Sequence, residues 1–181
     1  GVQCHAGSLA ATSEWLLFLH ADTTLPPNAD SVVTHFIAQA HAQVATFRLR
    51  FDQAGWFLRA CCALTRFDSV FTRFGDQGIV IRRSFYHELG GFLPWPLFED
   101  VALLQRARRR AKIVSLPAAV TTSARRFQAH GPLRQQWRNT RLLLRYLRGT
   151  SPQVLADEYR DARRLTAPAV PVTPKEEITR A

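Results

Sequence analysis

The chain has 181 residues, 46% hydrophobic and 21% charged, enough for one globular domain with a core of its own. No apolar run approaches the ~20 residues of a spanning helix, and no signal-peptide pattern is visible. Three cysteines with an adjacent pair, Cys61-Cys62, exclude a disulfide framework, so a reducing compartment is expected.

The chain contains no methionine and begins mid-pattern at GVQCHAG, so its true N-terminus is read as missing. Residues 7–13 are small and polar and suit the end of a helix. Residues 14–19 read as a short strand. Their unbroken apolar character suits a strand covered on both faces, at the centre of a parallel sheet. That run stops abruptly on His20 and Asp22, before Pro26-Pro27. Asn28 or Asp30 is expected to cap a helix running to about residue 42. Residues 44–51 alternate, with Thr46, Arg48 and Arg50 on one face and Phe47, Leu49 and Phe51 on the other. This is the pattern of a half-buried strand.

Residues 56–64 read as a helix that buries Cys61-Cys62, and 78–81 as a strand following GDQG. Ser84 is expected to cap a short helix that stops at Gly90-Gly91. A helix over 100–110 precedes two strands, 112–116 and 120–123. Residues 132–147 form a strong helix with Gly149 as its stop, and Ser151-Pro152 opens another. The Pro- and Thr-rich tail 166–181 is expected to be disordered. Strands alternating with helices point to an α/β sandwich, in which ligands sit beyond the carboxyl ends of strands. His20 and Asp22 occupy such a place.

Three stretches carry candidate chemistry. Asp22 can hold a divalent cation, since Mg²⁺ needs only one or two protein carboxylates beside phosphates and water. It can equally cap the Thr23-Thr24 turn. In GDQG, Gly75 and Gly78 flank Asp76 and Gln77 and allow close approach to backbone; a plain loop is the alternative. Glu99 and Asp100 stand at a helix start, where they either favour the helix dipole or supply a general base.

These stretches, in this order, resemble a family 2 glycosyltransferase of the GT-A fold. The similarity is to a bacterial subgroup with FLHADT (18–23), GDQG (75–78), ED (99–100) and TSARR (122–126), and it spans about 3–159. It implies an α/β fold, GT-A and Rossmann-like, with a mixed sheet flanked by helices and C-terminal amphipathic helices. The catalytic core would be 1–126, lacking about two N-terminal nucleotide-binding βα units, followed by a helical extension over 127–165.

The resemblance also implies roles. Asp22 would bind the metal (Mg²⁺ or Mn²⁺) and, with His20, Gln3, Gly7, Arg125 and Arg126, the nucleotide-sugar donor. Cys4 and His5 replace the Met and Asn that relatives carry after the glutamine. Asp100 would be the catalytic base beside Glu99. Gly75, Asp76, Gln77 and Gly78 would line the acceptor or sugar pocket. The expected activity is inverting, metal-dependent sugar transfer to an acceptor hydroxyl, with a lipid-linked acceptor among the options.

The net charge of +10, from 24 basic and 14 acidic residues, supports anionic partners. Residues 101–156 hold 12 of the basic residues and no Asp or Glu. On the helix 132–149, Arg134, Arg138, Arg141, Arg145 and Arg148 trace one face and Leu133, Trp137, Leu143, Leu144 and Leu147 another. Such a helix either lies on a membrane or packs on the core with a solvated charged face. The expected location is cytoplasmic, with membrane association on that side as an option. The rival reading is a non-catalytic basic module on a degenerate transferase fold, binding nucleic acid or an anionic membrane. No helix-turn-helix, zinc-finger or RNP signature accompanies the charge, so nucleic acid is not the expected partner. The six histidines show no paired metal-ligand spacing.

Overall fold

A computed structural model describes residues 1–39, 42–53 and 55–164. The expected tail, 166–181, lies outside the described residues. Among these residues there are eight helices and five strands. In order they are α1 (Val2–Ala10), β1 (Trp15–Phe18), β2 (Thr23–Thr24), α2 (Ala29–Ile37), β3 (Val44–Phe51), α3 (Trp56–Leu64), β4 (Ile79–Arg82), α4 (Arg83–Glu88), α5 (Glu99–Arg108), β5 (Ile113–Thr122), α6 (Arg125–His130), α7 (Pro132–Leu147) and α8 (Pro152–Arg164). No helix among them is long and apolar enough to cross a membrane.

The strands make one mixed sheet in the order β1-β4-β3-β5-β2. β4 runs antiparallel to both β1 and β3, β3 is parallel to β5, and β2 is antiparallel to β5. The expected parallel central strand is thus corrected: β1 lies at an edge and pairs antiparallel with β4. Its apolar run has another cause: one face is buried in a core and the other is partly covered, with Leu17 42% exposed. Leu16 and Phe18 pack into one core with Tyr86 and Leu103, while Trp15 meets Phe36 of α2 on the other side.

Two cores sandwich the sheet. One joins it to α4 and α5 through Ile79, Ile81, Phe85, Tyr86, Leu104 and Ile113. The other joins it to α2 through Phe36, Ala45, Phe47, Val80 and Val120. β3 sits between them, so Val44 to Phe47 are all buried and its alternation survives only toward Phe51. Burial on both faces hides the period of two that a half-buried strand would show.

Other boundaries differ from the sequence reading. α2 stops at Ile37, and Asn28 makes no side-chain cap bond. α4 begins at Arg83, so Ser84 lies inside the helix rather than capping it. The two strands expected over 112–123 are one, β5, with Pro117 within it. Pro117 lacks an N–H to donate, and the ladder to β3 shifts register at that point, between Thr46 and Arg48. Gly90 and Gly91 do end α4, with φ of 77° and 63°.

Candidate active site

Because β1, β3 and β5 run one way and β4 the other, three carboxyl ends and the start of β4 meet on one rim. A cleft of about 600 Å³ opens there. It brings together residues far apart in the chain: His20 and Asp22 after β1, Asp76 and Gln77 before β4, Glu99 and Asp100 on α5, and Arg126 after β5. This is the position at which open α/β sheets place ligands.

Local chemistry explains how the carboxylates are held. Gly75 to Gln77 form a 3-10 turn whose first N–H donates to Asp100 Oδ2 at 2.5 Å. A Cβ on Gly75 would stand 2.9 Å from His20 Nε2 and 3.0 Å from Asp100 Oδ2. Only glycine lets this turn pass between the two side chains. Asp100 Oδ1 accepts the Val101 N–H at 2.8 Å. Gly78, at φ 67°, then turns the chain into β4.

Phe98, which precedes Glu99, has φ 63°, the one non-glycine among the described residues in the left-handed region. Such a conformation costs about 1–3 kcal/mol. Its ring is stacked on Tyr146 of α7 at 5.0 Å, which fixes the strained residue and so the approach of Glu99 and Asp100.

Asp76 is strongly perturbed. Its Oδ1 is buried with no hydrogen-bond partner. Burial first, then the charges of Asp100 and Asp22, push its carboxyl up to about 6, with His20 opposing. Asp100 is also raised, chiefly by burial and further by Glu99, against the Gly75 N–H that favours its charged form. Groups of this kind, strained electrostatically in a cleft, fit a cation, a proton transfer or both.

The other expected residues fare unevenly. Asp22 Oδ2 lies 3.6 Å from an Arg125 nitrogen, so this arginine contacts the acid expected to hold metal. Glu99 Oε1 lies 3.2 Å from the Gly1 amino group. Gln77 is fully buried, and its amide donates to the Thr72 carbonyl at 2.5 Å, so it holds the loop as well as facing the cleft. Gln3 and Gly7 lie exposed on α1 and do not reach the cleft. Among the described residues no three His, Cys, Asp or Glu side chains converge as a closed metal site would require. Asp22 and the partnerless Asp76 oxygen fit an open site, completed by water or phosphate.

Sequence reading missed two supports. Arg73 is 1% exposed; it bonds the Thr46 hydroxyl and lies 3.1 Å from Asp68, which Arg108 of α5 also contacts at 2.8 Å. This fork ties the loop before Gly75 to the helix bearing Asp100. The second support is the polar side of α7, where Gln135, Gln136, Asn139 and Thr140 form a wall of the cleft. A polar residue every turn was the only signal for it.

The arginine stripe on α7 is largely engaged within the molecule. Arg141 and Arg145 both pair with Glu158 of α8, and Arg138 donates to the Tyr159 carbonyl at 2.8 Å. Leu133 and Trp137 remain exposed. No protein-family model matches this chain, and no curated protein matches it.

Proposed function

We propose that the protein is a glycosyltransferase of family 2 with a GT-A fold, moving a sugar from a nucleotide-sugar to an acceptor hydroxyl with inversion. The observation that carries this reading is the meeting of His20, Asp22, Asp76 and Asp100 in one cleft at the strand carboxyl ends. Sugar transfer needs a base for the acceptor proton and positive charge for the departing diphosphate. Asp100 is positioned as the base: it sits in the cleft with a raised affinity for protons, and the Gly75 N–H fixes its direction. Asp22 and Asp76 would hold a divalent cation, which when bound neutralises diphosphate charge. Arg125 would leave Asp22 for the diphosphate, and Arg126, which donates to the Tyr159 hydroxyl at 3.0 Å, would join it.

The acceptor end of the cleft is apolar, with Leu64, Phe71, Phe74 and Leu97 in its walls. That lining, with exposed Leu133 and Trp137 close by on α7, supports a lipid-linked acceptor reached at a membrane surface. Co-sedimentation with anionic vesicles tests this part: Leu133→Ser with Trp137→Ser is expected to weaken it, and unchanged sedimentation would remove the membrane contact.

The donor test is a thermal melt with Mn²⁺ and each nucleoside diphosphate in turn. A ligand that binds only the native state raises the midpoint. A metal-dependent rise with one nucleotide, lost in Asp22→Asn, is the expected result. No rise with any nucleotide would overturn the transferase reading and leave a non-catalytic basic module in its place.

A further inference from the structure

A second cleft, of about 630 Å³, lies on the other side of α3, against the outer halves of β3 and β5. Its walls include Arg48 and Arg50 of β3, Arg59 of α3 and Arg66 just past that helix, and no acidic residue. Spacing explains the convergence. Arg48 and Arg50 are two apart on a strand and share a face, and Arg59 and Arg66 are seven apart, two helical turns. Thus the polar face of β3 is not simply solvated.

None of these four guanidinium groups has an ion-pair or hydrogen-bond partner among the described residues. Arg48 Nε is buried and unsatisfied. Elsewhere the molecule's enclosed arginines have partners: Arg73 has Asp68, Arg145 has Glu158, and Arg106 has the carbonyls of Leu89 and Gly91. Arg48 is half-buried and Arg50, Arg59 and Arg66 reach solvent, so water screens part of their mutual repulsion and a bound anion would relieve the rest.

We propose that this pocket binds a phosphate-bearing anion, at a site separate from the carboxylate cleft. A lone carboxylate would neutralise one guanidinium of four. A phosphate monoester carries about −1.5 to −2 near neutral pH and a diphosphate more, on several oxygens, and guanidinium forks match its geometry. The phosphate can come from a free metabolite or from a lipid headgroup. Trp56 at the start of α3 and Phe67 three residues past its end are exposed apolar side chains on the same segment as Arg59 and Arg66. α3 is a wall of both clefts, turning Cys61 and Thr65 to one and Leu58 and Cys62 to the other, so the two sites are neighbours with opposite charge.

The experiment is calorimetric titration of the full chain with inorganic pyrophosphate, with chelator present so that no cation bridges it to Asp22. A parallel arm sediments the chain with phosphatidylcholine vesicles with and without phosphatidic acid. The variants are Arg48→Gln with Arg59→Gln, Arg59→Gln with Arg66→Gln, and Arg134→Gln as a control that removes a positive charge away from the pocket. Arg59 and Arg66 are exposed, so the second variant keeps its fold. Each guanidinium removed from the pocket is expected to weaken binding about tenfold, while Arg134→Gln binds as wild type. Binding of pyrophosphate identifies a free phosphate as ligand; phosphatidic-acid-dependent sedimentation alone identifies a headgroup. The proposal falls if neither probe binds, if the pocket variants bind like wild type, or if Arg134→Gln loses as much as they do.

Discussion

The cleft and the α7–α8 pair treat charge in opposite ways. On α7 three arginines are matched: Glu158 takes Arg141 and Arg145, and the Tyr159 carbonyl takes Arg138. In the cleft, burial and the charges of Asp100 and Asp22 work against an ionised Asp76, one of whose oxygens is left without a partner. The matched set maintains architecture and would be there in a protein with no ligand. The unmatched set costs stability, which makes it the better guide to function. The same contrast sets the four arginines around α3 apart from Arg138, Arg141 and Arg145 of α7, although sequence made the latter conspicuous.

The largest expected effect breaks the comparison at its sharpest point. Asp100→Asn retains an acceptor for the Gly75 N–H but cannot take a proton. Transfer is expected to fall by about 10²–10⁴, the usual contribution of a general base, with nucleotide binding by thermal shift unchanged. Loss of binding together with turnover would make Asp100 part of the donor site instead.

Next comes Asp76. Its folded carboxyl titrates near 6, above the unfolded value, so the folded protein binds this proton more tightly. Its ionisation therefore costs stability as pH rises from about 4 to 6, and the penalty is complete above that, roughly 3 kcal/mol. Asp76→Asn is expected to raise the neutral-pH melting point and flatten this slope while impairing cation-dependent nucleotide binding. An unchanged slope would move the titration to another group.

Gly75→Ala should cost about 1–3 kcal/mol, as an added methyl does in a filled space, because His20 and Asp100 stand at 2.9 and 3.0 Å from the new atom. Urea unfolding measures it, and a neutral result would mean that the turn has room. The smallest effect belongs to the matched set. Glu158→Gln leaves Arg141 and Arg145 half-exposed and able to find water. A loss of at most about 1 kcal/mol is expected, with transfer retained; a larger loss would show that α7 and α8 depend on this pair.

The site was more legible in the chain than the sheet was. Acids after an apolar run, between glycines and at a helix start all mark places where backbone ends converge, so Asp22, Asp76 and Asp100 could be picked out before their distances were known. Strand direction left no such mark. An edge strand covered by Phe36 on one face and Tyr86 on the other carries the same apolar run as a central parallel one. Gln3 and Gly7 rested on resemblance alone, and α1 turns them outward. Arg73 and Asp68 were unreadable for another reason: a charged pair near the surface and one that seals a buried arginine look alike in a one-dimensional chain.

That last pair bears on how molecules would come and go. Asp68 ties Arg73 to Arg108, and Gly75 is tied to Asp100, so the 68–77 loop and α5 are cross-braced at two points. Neither can swing out without the other. The opposite wall leans on the contacts of Arg126 and Arg138 with Tyr159, close to the cleft mouth. Entry to the cleft therefore cannot come from swinging this loop alone, and amide hydrogen exchange along it should be slow.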